Sequence, residues 1–109
     1  MILGADIGGT KTLLALAGDG GIVCERRYPS RDWSEFADLL RTFLGEAGCA
    51  AGITSACLGV AGPVEGNRAK VTYLPWQLDA TELSQRIGGA PMHLLNDFAA
   101  AAAGTSTTV

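Results

Sequence analysis

Six residues near the start restrict the possible folds more than anything else in the sequence. Asp6-Ile7-Gly8-Gly9-Thr10-Lys11 closes a short, mostly apolar run over residues 2–7 and is followed at once by a second apolar stretch, Leu13 to Ala17. A glycine turn between two strands differs from a glycine loop between a strand and a helix, which the dinucleotide fingerprint and the Walker loop both require. Context therefore excludes those two nucleotide-binding arrangements. In a strand–turn–strand, Gly8 and Gly9 let the backbone come close to a phosphate, with amide N–H groups and the Thr10 hydroxyl as donors. Asp6, at the end of the first strand, suits Mg²⁺ held through water, because Mg²⁺ dehydrates reluctantly. An ordinary hairpin turn is the competing reading of the hexapeptide.

The pattern that follows is that of an α/β layer. Asp19-Gly20-Gly21 is turn chemistry leading into a third strand through Ile22, Val23 and Cys24, so the chain opens with a three-stranded antiparallel meander. Asp32 with Glu35 resembles a capping box, and Phe36, Leu39, Leu40, Phe43, Leu44 and Ala47 recur at helical spacing up to Gly48, a C′ glycine. Trp33 and Phe43 read as packing residues of that same stripe. Ile53 to Val60 reads as a buried strand stopped by Ala61-Gly62-Pro63, and Val64 with Arg68 to Thr72 as a hairpin about Glu65-Gly66-Asn67. Asp79 with Glu82 caps a second helix that Gly88-Gly89 ends. Met92 to Leu95 is the last strand, and Phe98 to Ala103 begins a further helix. The expectation is a mixed sheet, the meander followed by α-β-α-β-α, forming one domain over residues 1–109 that breaks off in the Gly104 to Val109 tail.

Composition narrows the partners. With 48% apolar and 17% charged residues the chain has a core to bury and is not disordered. A net charge of −3 leaves no basic face for a phosphodiester backbone, so no nucleic-acid partner is expected. No apolar run is long enough for a membrane span and the start lacks a signal-peptide pattern, which predicts a cytoplasmic protein without a membrane partner. Cys24, Cys49 and Cys57 have no metal-ligand spacing and read as buried thiols; His93, within Met92-His93-Leu94-Leu95, reads as a packed or hydrogen-bonded strand residue.

A second motif, Leu94-Leu95-Asn96-Asp97-Phe98, delivers Asn96 and Asp97 to the carboxyl end of a strand as a helix begins, where open α/β sheets bind ligands. Asp97 there can accept a proton from a substrate hydroxyl while Asn96 fixes its orientation. It can equally be the N-cap of the following helix. Gly59-Val60-Ala61-Gly62-Pro63-Val64 ends the preceding strand at the same edge, and alone reads as a tight turn.

Together these segments and Leu74-Pro75-Trp76 resemble the bacterial glucokinase family, within the superfamily of sugar kinases, actin and heat-shock ATPases with the ribonuclease-H-like (actin-like ATPase) fold. The resemblance covers nearly the whole chain and implies the amino-terminal, phosphate- and sugar-binding part of an ATP-dependent glucose kinase. It implies that Asp6 helps place Mg²⁺, that Gly8, Gly9, Thr10 and Lys11 surround the phosphates of ATP, that Asp97 is the general base for the sugar 6-hydroxyl, and that Asn96 binds a neighbouring hydroxyl. It further implies that the remaining sugar contacts and the adenosine pocket lie beyond this segment. The 109 residues alone are then expected to be inactive, with a homodimer among the assemblies open to the full-length parent. Lys11 and Tyr73 stand where many relatives carry Asn, and Tyr73 leaves the sugar open: mannose or an N-acetylhexosamine is the alternative to glucose. A non-catalytic sugar-binding regulator is a further alternative.

Overall fold

The computed structural model describes residues 1–47 and 52–96. Strand β1 (Ile2–Ile7) pairs antiparallel with β2 (Lys11–Gly18), which pairs antiparallel with β3 (Gly21–Pro29). On its other side β1 runs parallel to β4 (Ser55–Val60), and β4 runs parallel to β8 (Met92–Asn96), giving the order β3-β2-β1-β4-β8. This is the expected mixed sheet. Between β4 and β8 a smaller antiparallel sheet is made of β5 (Val64–Glu65), β6 (Arg68–Lys70) and β7 (Gln77–Asp79).

One face of the main sheet is apolar in register. Leu3 lies opposite Leu16 and Ala56, Ala5 opposite Leu14 and Leu58, and Ile7 opposite Thr12 and Val60. Most of these side chains share one buried cluster with Phe36, Leu39, Leu40, Phe43 and Leu44 of α1 (Phe36–Ala47), so the helical stripe meets the period-two face of the strands. Helix α2 (Ala80–Arg86) adds Ala80 and Leu83; its N-cap is Asp79, whose side chain accepts from the Thr81 and Glu82 amides, as the second capping pattern predicts. Gly88 and Gly89 follow at φ 83° and 85°, in the left-handed region that favours glycine. No helix among the described residues is long and apolar enough to cross a membrane.

Several expectations are corrected. Asp32 does not cap α1: Ser30–Asp32 is a short 3₁₀ turn, and Trp33 is extended at φ −121° and ψ 127°, which delays the helix to Phe36. Trp33 is thus off the helical stripe. Its ring stands edge-on to Tyr28, and its carbonyl accepts the Trp76 indole N–H at 2.9 Å. β7 is an addition to the expected strands. Cys57 and His93 are exposed rather than buried or packed, because they pair on the sheet face opposite the helices. Cys24 is half-buried. Gly48, Cys49, Asp97, the helix expected from Phe98 and the Gly104 to Val109 tail lie outside the described residues.

Candidate active site

The register brings three sequence motifs to one edge. Ile7 pairs with Val60 and Val60 with Asn96; one step back, Asp6 pairs with Gly59 and Gly59 with Leu95. Because β1, β4 and β8 are mutually parallel, their carboxyl ends deliver the Gly8-Gly9 turn, the Ala61-Gly62-Pro63 turn and Asn96 side by side. Asp97 itself lies outside the described residues.

The glycine turn is fixed from beneath. Gly8 N–H donates to the Lys11 carbonyl at 3.0 Å, and Ser30 N–H donates to the Thr10 carbonyl at 2.9 Å. The Ser30 hydroxyl donates to the Gly8 carbonyl at 2.6 Å and, its one proton being used there, accepts from the Thr12 hydroxyl at 2.8 Å. Ser30 and Thr12 are both fully buried, so this chain of hydrogen bonds is shielded from water. With those carbonyls occupied, the Gly9 and Thr10 amides have no acceptor among the described residues. A methyl group on Gly9 would stand 3.0 Å from the Thr72 carbonyl oxygen, so glycine here permits close approach of two backbones.

Around the turn, Thr10 and Lys11 are exposed. The ion pairs among the described residues, Arg41–Asp38, Arg68–Asp79 and Arg86–Glu82, leave Lys11 out. Lys11 and Arg27 border a shallow depression of about 330 Å³ with Thr10, Tyr28 and Pro29, which puts two cations beside the donor-rich turn. Asp6 is exposed near the end of β1. No group of three or more His, Cys, Asp or Glu side chains capable of holding a metal occurs among the described residues. A single carboxylate still suits Mg²⁺, which is commonly bound by one or two carboxylates together with water and substrate phosphates.

The next turn is as tightly placed. Ala61 N–H donates to the Ile7 carbonyl at 2.8 Å, Thr72 N–H to the Ala61 carbonyl at 2.9 Å, and the Asn96 side-chain amide to the Gly62 carbonyl at 2.7 Å. Gly62 lies so close to Lys70 that a Cβ there would overlap its carbonyl oxygen. Of the residues expected at the site, Asp6, Gly8, Gly9, Thr10, Lys11 and Asn96 therefore do converge. Ser30, Thr12 and the packing role of Gly62 went unread: Ser30 carries no motif, and its partners are 18 and 22 positions away.

Known proteins are similar to this chain in sequence and fold. The family model described as Glucokinase matches residues 3–108. The glucokinase of Nostoc sp. is 37% identical over 105 residues, covering 92% of this chain and 31% of that protein. The crystal structure of a glucokinase from an Antarctic psychrotroph superimposes with a TM-score of 0.77 at 30% identity, covering 91% of this chain and 33% of that one. A glucokinase from Balamuthia mandrillaris, solved in complex with glucose, gives a TM-score of 0.61 at 25% identity over 89% of this chain. The chain spans about a third of the length of the curated relatives it matches.

Proposed function

The chain belongs to the glucokinase family, and we propose that the whole protein transfers the γ-phosphoryl group of ATP to the 6-hydroxyl of glucose in the cytoplasm. The products are glucose 6-phosphate, ADP and the proton of the hydroxyl. Supporting this reading is one observation above all: the aligned ends of β1, β4 and β8, which set a turn suited to phosphate beside Asn96, the residue that precedes Asp97 in the sequence.

Phosphoryl transfer asks mainly for positioning and for charge stabilisation. Gly9 and Thr10 hold the transferred group by their amides and the Thr10 hydroxyl, Gly8 closes the turn beneath it through its bond to the Lys11 carbonyl, and Lys11 adds a positive charge. Asp97 takes the proton from the 6-hydroxyl, and Asn96 orients the sugar while its amide stays on the Gly62 carbonyl. Asp6 would hold Mg²⁺ through water, and the ion would supply charge neutralisation on the phosphates. Residues 1–109 thus form the phosphate- and sugar-binding part, and by themselves they are expected to be inactive.

The test is an ADP-release assay on the whole protein with glucose, mannose and N-acetylglucosamine offered separately. Glucose is expected to give the highest kcat/KM. A preference for either other sugar would reassign the substrate, and no response to any hexose would reject the kinase reading.

A further inference from the structure

Tyr73 combines two features that folding alone disfavours. Its backbone is at φ 68°, and it is the only non-glycine residue with a positive φ among the described residues. That region suits glycine and asparagine and strains a bulky side chain. Its side chain is also 89% exposed, although an aromatic ring gains most from burial. Three nearby residues are the reverse, Val71 and Trp76 at 1% exposed and Leu74 at 9%, while Thr72 and Pro75 are exposed like Tyr73. Val71 N–H donates to the Trp76 carbonyl, Leu74 N–H to the Val71 carbonyl and Thr72 N–H to the Ala61 carbonyl. Both sides of the turn are anchored and Tyr73 is held out between them. Strain sustained by its surroundings in this way points to a role in binding.

The ring has a definite place. A Cβ on Gly9 would lie 3.6 Å from the Tyr73 Cβ and 3.8 Å from its Cδ2, so the ring stands against the glycine turn. The segment leading into it, Lys70 to Thr72, packs on Gly62, which accepts from Asn96. Tyr73 therefore borders the space between the phosphate turn and Asn96. A hexose in its chair form has a polar rim and faces made of C–H bonds, and an exposed aromatic ring is the apolar complement of such a face.

We propose that Tyr73 is a sugar-recognition residue, its ring forming the platform on which the C–H face of the hexose rests so that the 6-hydroxyl is presented to the transferred phosphoryl group. This rests on the phosphoryl-transfer reading. The platform acts through the ring face, not the phenol hydroxyl, and it contributes to sugar binding without moving protons.

The test compares wild type, Tyr73→Phe and Tyr73→Asn in the whole protein, with the KM for glucose, the KM for ATP, kcat and the melting temperature measured for each. Tyr73→Asn is expected to raise the glucose KM about tenfold, leave kcat and the ATP KM within about twofold, and raise the melting temperature by about 2 to 6 °C as the strain is relieved. Tyr73→Phe is expected to keep the glucose KM within about twofold. An unchanged glucose KM in Tyr73→Asn, or an equal loss in Tyr73→Phe, overturns the platform while leaving the kinase reading intact. A wild-type protein that phosphorylates no hexose overturns both.

Discussion

The Asn96 side-chain amide donates to the Gly62 carbonyl at 2.7 Å, which ties the end of β8 to the turn that closes β4. That bond joins two motifs separated by 34 positions, and Gly62 at the same time lies directly on the Lys70 backbone.

Gly62→Ala is accordingly expected to force the small sheet away from the turn. A Cβ at position 62 would overlap the Lys70 carbonyl oxygen and stand 3.1 Å from the Thr72 amide nitrogen, so backbone must move rather than a side-chain tip. Overpacking of this kind costs about 2 to 3 kcal/mol. Urea unfolding measures the loss, and a variant within about 0.5 kcal/mol of wild type would show that the contact is not tight.

Ser30→Ala removes the hydroxyl that holds the Gly8 carbonyl and leaves the buried Thr12 hydroxyl without its acceptor. The expected loss is about 1 to 3 kcal/mol, the range for stranding a buried polar group. The nucleotide KM should rise while the glucose KM stays nearly constant, since the glycine turn and not Asn96 is loosened. Adding Thr12→Val should recover part of the stability, because the stranded hydroxyl is then gone as well. A double variant less stable than Ser30→Ala would contradict the hydrogen-bond chain.

Tyr28 gives a pH dependence. Burial, followed by the hydrogen bond it donates to Glu46 at 2.8 Å and the charge of that carboxylate, pushes its phenol up from 10.0 to about 12. The folded protein then holds the phenolic proton more tightly than the unfolded chain. The contribution is complete below pH 10.0 and lost as pH rises to about 12. Unfolding midpoints of wild type should therefore fall more steeply than those of Tyr28→Phe across that window. Parallel profiles would show that the Tyr28–Glu46 contact adds nothing.

Much of this was legible because local chemistry and tertiary packing agree. The Phe36 to Ala47 stripe, the Asp79–Glu82 cap and the strand ends at Ile7, Val60 and Asn96 each follow from short-range patterns that the core reinforces. The Asp32–Glu35 pair misleads because Ser30 is claimed by the glycine turn and Trp33 by the Trp76 indole, contacts that no local pattern encodes. β7 is hidden because it has three residues and follows Pro75. The exposure of Cys57 and His93 was illegible for another reason. Parallel strands read as nearly continuous apolar runs, which do not reveal which face the helices cover. The left-handed backbone of Tyr73 is likewise set by the anchored turn around it, not by tyrosine.

The most direct measurement is steady-state glucose phosphorylation by the whole protein as wild type and as Asp97→Asn. The amide preserves shape and hydrogen bonding but is too weak a base to take the 6-hydroxyl proton. The expected kcat is lower by about 10² to 10⁴-fold, with little change in the glucose KM. Near-normal turnover in Asp97→Asn would contradict it, showing that Asp97 is a helix cap and that the edge formed by Asp6, Gly62 and Asn96 does not carry the chemistry.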